Sequence, residues 1–415
     1  MTVKETPVRR RPRNRRQMVV DAAGPVFSAR GYHGASMEEV AAKVGITAAA
    51  LYRHFPNKYA LFAECANRMV DGLLEVLALD PRPTGLDELF PALAEVTISN
   101  RDSGGLYRWE ARYLKEPDRA ALREKFALLV RTVADEVRVE HSGPEADVRA
   151  AAALGAIGSI TQHRTPVARR SAVDLLVASA RDVAAVDLTA VAPTASRVGL
   201  PRRTHPVSRR AEILGAAIPL FAQHGFHNVS MGQIAAEVGL GSSGIYRHYS
   251  VKADILAAAC LQAAATLDQA VAQSLDGVSG PEESLVALAS AFVAYRFENT
   301  ALTSVAEAEV MGLPPEFQRP VRMAQREHVA LWEELLAEAR PELEPRQARL
   351  VVHAAFGAAT EAGRAVRWQD TPANRDLVTA LVMGALGVGA LGVGALAAGA
   401  LQGGRARSGA GEAGA

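Results

Sequence analysis

The chain has 415 residues, more than one domain of ordinary size uses, and 49% of them are apolar, enough for sizeable buried cores. Only 5% are aromatic while Ala and Gly abound, which disfavours a β-sandwich and favours closely packed helices. A formal net charge of +1 argues against a protein that binds nucleic acid non-specifically through many phosphate contacts. Two cysteines, Cys65 and Cys260, in no CxxC spacing, argue against a disulfide framework or a zinc site and for a reducing, cytoplasmic setting.

In chain order, residues 1–14 read as a disordered basic arm. Lys4, Arg9, Arg10, Arg11, Arg13, Arg15 and Arg16 face only Glu5 in the first 16 positions, a block of the kind that meets nucleic acid. No apolar h-region follows it, so it does not read as a signal peptide. From Arg15 to Arg30, Val20, Ala23 and Phe27 recur at helical spacing, with Pro25 expected to bend the helix and Gly31 placed to cap its C-terminus. Ser36 and Glu39 have the spacing of a capping box for a short helix over 37–44, with Val40, Ala41 and Val44 inward. Gly45 permits a tight turn. A second short helix, Thr47 to His54, buries Leu51 and leaves Thr47, Ala48, Ala50, Tyr52, Arg53 and His54 outward. Pro56 breaks the pattern before a new helix starts near Lys58.

Two short helices with a glycine turn and a supporting first helix predict a helix-turn-helix, here residues 15–62. Small side chains on the second short helix let its backbone approach base edges. Tyr52, His54 and Lys58 can reach phosphates. Helices are expected near 58–79, 85–100, 103–115, 117–140, 144–163 and 167–187, making a first helical body, 63–188. Residues 189–208, with three prolines and uncompensated Arg197, Arg202 and Arg203, read as a linker.

The pattern then returns. Arg15–Phe62 aligns without gaps on Arg209–Leu256, 194 residues on, with 18 identities over 48 positions. The second copy offers Ser230 with Gln233 as a capping pair, then Gly241, Ser242, Ser243, Gly244, Tyr246, Arg247, His248 and Lys252. Such a period duplicates a whole domain and is too long for a solenoid. The second head is therefore 209–256. Helices at 252–275, 281–298, 300–311, 314–339, 345–369 and 373–398 make a second body, 257–401. Residues 402–415 are expected to be a disordered tail. The small-residue segments 144–160 and 345–363 correspond in order and character and are candidate interface helices.

The segments ARGYHGASMEEVAAKVGITAAALYRHFPNK and QHGFHNVSMGQIAAEVGLGSSGIYRHYSVK resemble the TetR/AcrR family of bacterial transcriptional repressors over about 50 residues in each half. The resemblance implies an all-α protein. Each head would precede a helical regulatory body, dimerising through a four-helix interface and releasing its double-stranded DNA operator when a small-molecule effector binds. It assigns phosphate contacts to Tyr52, His54, Lys58, Tyr246, His248 and Lys252. Base reading falls to Thr47, Ala48, Ala49 and Ala50, and to Gly241, Ser242, Ser243 and Gly244. Family members usually carry one head per chain. Two heads here suggest an intrachain pseudo-dimer reading unlike half-sites, or a homodimer with four heads.

No Ser-His-Asp signature, P-loop, HExxH or dinucleotide fingerprint is present, so neither an enzyme nor a cofactor or metal site is expected. Trp109, Glu110 and Tyr113 in the first body, and Tyr295, Glu307 and Trp332 in the second, are candidate effector contacts. Residues 380–401 are uncharged and long enough to span a bilayer, but they are mostly Ala and Gly. A buried last helix running into a Gly-rich tail is expected, and no membrane partner. The competing classes are a non-specific architectural DNA binder and a membrane-associated sensor.

Overall fold

The computed structural model describes residues 15–103, 105–106, 113–141, 143, 145–188, 208–310 and 313–388. The first half comprises α1 (Arg15–Gly34), α2 (Met37–Val44), α3 (Ala48–Tyr52), α4 (Lys58–Leu77), α5 (Gly85–Ser99), α6 (Glu116–Glu140), α7 (Ala146–Gly158) and α8 (Arg169–Ala185). The second comprises α9 (Arg209–His224), α10 (Met231–Glu237), a 3-10 turn (Ile245–Arg247), α11 (Lys252–Leu275), α12 (Pro281–Glu298), α13 (Thr300–Glu309), α14 (Pro315–Ala339), α15 (Pro345–Ala365) and α16 (Pro372–Leu386). Among the described residues there is no strand, and the chain is all-α.

Local chemistry explains where the helices stop. Gly31 leaves helical geometry at φ 69°, ψ 169°, so the break in α1 falls there and not at Pro25, which lies within helical backbone. Gly225 does the same for α9 at φ 77°. The last helix is shorter than its sequence pattern predicts. Gly387 adopts the left-handed conformation and caps α16 at Leu386, its N–H bonding back to Met383 and Gly384. Residues 389–398 of the expected helix lie outside the described residues, as do the arm, most of the linker and the tail.

The apolar faces close into three cores. Val20, Phe27, Val40, Leu51 and Phe62 belong to one, under the first head. Leu214, Phe221, Ile234, Ile245 and Leu256 belong to another, under the second head. The third is common to both bodies, running from Met69 to Val388. Two helices bridge these cores. α4 gives Phe62 and Val70 to the head core and Leu73 and Val76 to the body core; α11 gives Leu256 and Cys260 to its head and Ala270 and Val271 to the body. α11 is also long and apolar enough to cross a membrane by length and composition, but it is this bridging role that buries its apolar residues.

The common core exists because α7 packs on α15, with α8 and α16 alongside. At the crossing Gly155 meets Gly357. A Cβ on either glycine would overlap the carbonyl oxygen of the other, so only Gly permits the approach. Gly384 of α16 likewise faces Val186 and the Asp182 carbonyl with no room for a side chain. Gln347 Nε2 donates to Ser171 Oγ across the same joint at 3.1 Å.

At one end of the joint, His163 of the first half stacks on His353 of the second, ring centroids 4.1 Å apart and 9° from parallel. His163 Nδ1 pairs with Thr165 Oγ1 at 2.8 Å, and its Nε2 has no partner among the described residues. The Arg101 guanidinium holds the carbonyls of Ile160, His163 and Thr165 around it. Burial pushes His163 down to about 2, with His353, Arg101, Arg164 and Arg349 acting in the same direction. Burial, then Arg349, pushes His353 down to about 4.

Gly155→Ala and Gly357→Ala are each expected to cost about 2 kcal/mol or more in a urea melt through backbone overlap. Gly215→Ala, at an exposed helical position with open space around it, should instead stabilise by about 0.5–1 kcal/mol. The stacked histidines are neutral in the folded chain, whereas unfolded imidazoles take up protons near pH 6.5. The unfolded state therefore binds more protons as pH falls from about 6.5 to 4. Stability is lost across that window, by up to about 1.4 kcal/mol per pH unit for each histidine. Thermal melts from pH 7 to 4.5 should show this fall, and His353→Phe should flatten it.

Candidate nucleic-acid interface

In the first head the turn between α2 and α3 is built by Gly45 at φ 75°, ψ 35°, and closed by a bond from Ile46 N to Ala41 O at 3.0 Å. Ser36 caps α2 by accepting from Glu39 N at 3.0 Å. The reciprocal half of the expected capping box is missing, because the Glu39 carboxylate pairs with Arg30. Thr47 caps α3 by accepting from Ala50 N at 3.2 Å. Leu51 and Phe55 are both fully buried and anchor α3 to the core. Burying two such side chains contributes on the order of 2 kcal/mol each. The rotation this imposes exposes Thr47, Ala49, Tyr52 and Arg53 and half-buries Ala48, Ala50 and His54. Tyr52 is left 46% exposed, and its counterpart Tyr246 55%.

The second head repeats the turn with Gly239 at φ 67°. Ser230 and Gln233 form the complete capping box of α10. Ile245 and Tyr249 replace Leu51 and Phe55 as buried anchors. Gly241, Ser242, Ser243, Tyr246 and Arg247 are exposed, with Gly244 and His248 half-buried. Sequence similarity to α3 predicts a helix over these residues. Only turns and the 3-10 turn Ile245–Arg247 are found, because Gly241 supplies no cap and two glycines weaken the helix.

Two cation clamps hold each head together, at equivalent positions. Arg16 donates to the His54 carbonyl at 2.8 Å and lies over the Phe55 ring at 4.2 Å; Arg210 donates to the His248 carbonyl at 2.6 Å and lies over Tyr249 at 4.0 Å. Arg16 also pairs with Glu64, an acid the second head replaces by Ala258. These arginines were missed as site residues, although their identity in both copies was visible in the repeat.

Lys58 and Lys252 make the second clamp. Lys58 Nζ donates to the carbonyls of His33 (3.4 Å) and Ala35 (3.1 Å) and faces the Tyr32 ring at 4.8 Å. Lys252 Nζ donates to the carbonyls of Phe226, His227 and Val229, the last at 2.6 Å, and faces the Phe226 ring at 4.5 Å. Burial lowers the Lys252 pKa, and the nearby Glu309 opposes that. Each ammonium group thus ties the start of its own helix, α4 or α11, to the α1–α2 or α9–α10 junction.

The heads also touch. His33 and His227, equivalent residues of the two copies, stand with ring centroids 4.5 Å apart. The His33 pKa is lowered by burial, then by His227 and Lys58, against a raising influence of Glu309. Buried Glu309 accepts from Phe226 N at 2.8 Å, fastening the second head to its own body.

Of the candidate effector residues, Tyr113, Tyr295, Glu307 and Trp332 are described. Trp109 and Glu110 lie outside the described residues. Tyr113 stacks against Tyr32 and His33, so it belongs to the joint of head and body. Trp332 is fully buried, its Nε1 donating to His328 Nε2 at 3.1 Å within an aromatic cluster with Phe292 and Phe356. Tyr295 is buried with its hydroxyl unpartnered among the described residues, and Glu307 is ion-paired to buried Arg296. The first body retains an apolar cavity of only about 10 Å³ beside Leu93, Phe126 and Ile157. A cleft of about 420 Å³ opens between α6 and the end of α15, lined by Phe126, Val130, Arg131 and Arg364.

The profile of the tetR family of bacterial regulatory proteins matches this chain twice, at residues 19–65 and 213–259. Two segments of the chain are thus of the tetR type. Each of its two tetR-type heads coincides with one of the helix-turn-helix units described above. The chain is 37% identical over 118 residues to the HTH-type transcriptional activator FasR of Mycolicibacterium smegmatis, covering 27% of this chain and 53% of FasR. It is 31% identical over 77 residues to the HTH-type transcriptional regulator HbdR of Aromatoleum sp. (strain CIB), covering 19% of this chain and 34% of HbdR. The chain therefore spans about half the length, or less, of these curated relatives. A solved tetR-family regulatory protein from Rhodococcus RHA1 aligns at 21% identity and a TM-score of 0.39, covering 44% of this chain and 97% of that one.

The clamp geometry yields a test. Lys58→Met and Lys252→Met should each lower the stability of the DNA-free protein by about 1–3 kcal/mol in a urea melt, because backbone carbonyls lose their donor. A lysine serving phosphate alone would leave that melt unchanged.

Proposed function

We propose that this protein is a DNA-binding transcriptional regulator in which the two heads of one chain, residues 15–62 and 209–256, act as an intrachain pseudo-dimer on one operator. The observation that carries this reading is the pairing of bodies 63–188 and 257–401 across the Gly155–Gly357 contact, which presents two heads with the same Tyr-Arg-His exit. Covalent linkage gives the second head a high effective concentration once the first is bound, without dependence on protein concentration. The reading residues differ, Thr47–Ala50 against Gly241–Gly244, so the operator should have unlike half-sites about one helical turn apart or a multiple of it.

Tyr52, Arg53 and His54, with Tyr246, Arg247 and His248, are the proposed phosphate and groove contacts. Lys58 and Lys252 support them from within the head. Regulation by repression fits operator occupancy that blocks transcription, with release by a small effector that binds the DNA-free head spacing more tightly than the DNA-bound one. The cleft between α6 and α15 suits such a role, since it lies where the two halves meet.

Purified full-length protein should enrich specific genomic fragments over random DNA at physiological salt. Equal affinity for both would point to the architectural alternative. His54→Ala and His248→Ala should each weaken binding to an enriched fragment roughly tenfold, the loss of about 1.5 kcal/mol. The double change should abolish binding. Sedimentation of a single chain with one protected operator supports the pseudo-dimer; a strict two-chain complex overturns it. A reporter that falls when the protein is removed would mean activation instead of repression.

A further inference from the structure

The two heads differ in the state of the segment that would enter the groove. In the first, α3 is already wound: Thr47 caps it, Leu51 N bonds to Thr47 O at 3.1 Å and Phe55 N to Leu51 O at 3.1 Å, both in α-helical register. In the second, Gly244 N bonds to Gly241 O at 2.8 Å, Arg247 N to Gly244 O at 3.3 Å and His248 N to Ile245 O at 3.0 Å. The first and third of these have equivalents in the first head, Ala50 N to Thr47 O at 3.0 Å and His54 N to Leu51 O at 2.9 Å, and Tyr249 N to Ile245 O at 3.1 Å matches Phe55 N to Leu51 O. The difference is that the i−4 bond of Leu51 N to Thr47 O has no counterpart in the second head, where Arg247 N makes a 3-10 step instead. The anchors are nevertheless in place, with Ile245 and Tyr249 as buried as Leu51 and Phe55.

The free fold does not require glycine at these positions. Gly244 sits at φ −68°, ψ −34°, which any residue adopts, and neither it nor Gly241 has the positive φ that Gly239 needs. A Cβ on Gly241 would meet nothing within 4 Å, and one on Gly244 would stand 3.2 Å from the Gly241 carbonyl oxygen, a contact relieved by a shift of a few tenths of an ångström. Exchanging Thr-Ala-Ala-Ala for Gly-Ser-Ser-Gly lowers the statistical weight of the helix by roughly tenfold or more, through lost propensity and a lost cap side chain.

We infer that the second head meets DNA with an unwound reading segment that winds into a helix only on contact, so that the first head sets sequence specificity and the second serves as a tolerant clamp. This rests on the reading of both heads as DNA-binding units. Ordering on binding subtracts from affinity, and a segment of Gly and Ser offers few groups that discriminate base edges. Tyr246, Arg247 and His248 keep the contacts that hold the backbone.

Two measurements on the full chain test this. In hydrogen exchange of the DNA-free protein, amides at 50–54 should be protected well beyond those at 244–248; equal protection overturns the inference. In selection from a random duplex library, the wild type should return one sharp half-site and one degenerate one. The double variant Gly241→Thr, Gly244→Ala should sharpen the second half-site and tighten binding about tenfold. Two equally sharp half-sites, or a second half-site indifferent to the double variant, overturn it. Enrichment of no sequence at all, with the exchange difference intact, would remove the DNA-binding reading itself and with it the role assigned to the unwound segment.

Discussion

Gly155 and Gly357 face each other across the middle of the molecule with no space for a side chain on either. That contact sets how closely α7 and α15 approach, and the common body core depends on that distance. Were the helices held apart by a methyl group, the alanines that fill this core would lose their close neighbours, since interiors tolerate little slack. The two glycines are 202 residues apart, whereas equivalent positions in the heads are 194 apart. The segment between head and joint is thus eight residues longer in the second half.

From the joint, two helices carry the arrangement outward. α4 and α11 each begin in a head core and end in the body core, so a shift of one body against the other must move a head. The heads themselves are small, and cations stiffen them. Arg16 and Arg210 hold the end of each reading segment, while Lys58 and Lys252 hold the preceding junction. Each cation meets backbone carbonyls and an aromatic face together, a pairing that offsets the cost of partial burial. The contact of His33 with His227 then brings the heads edge to edge.

Much of this was legible in the sequence because it is local. The helices over 58–77, 116–140, 252–275 and 281–298 follow from apolar spacing and lie within two residues of their expected ends. Ser36 and Ser230 cap as their side chains dictate. Local rules also explain two departures. Gly387 ends α16 early, and Gly241 with Gly244 leaves the second reading segment unwound despite its resemblance to the first. In both cases glycine overrode a pattern read by analogy.

Other features had no sequence signal. Lys58 and Lys252 stand where a phosphate contact is expected, and only the folded head reveals carbonyls within their reach. The stacking of His163 on His353 joins residues 190 apart that belong to no motif. By itself the sequence determined the helical class, the duplication, the helix-turn-helix units and the exposure of Tyr52, Arg53, Tyr246 and Arg247 on them. Those properties are set by side-chain spacing within one or two helical turns. Tertiary structure alone decided which glycines meet, which cations turn inward and which histidines are buried together. Those outcomes depend on distances between segments far apart in the chain, and packing, not local propensity, fixes such distances.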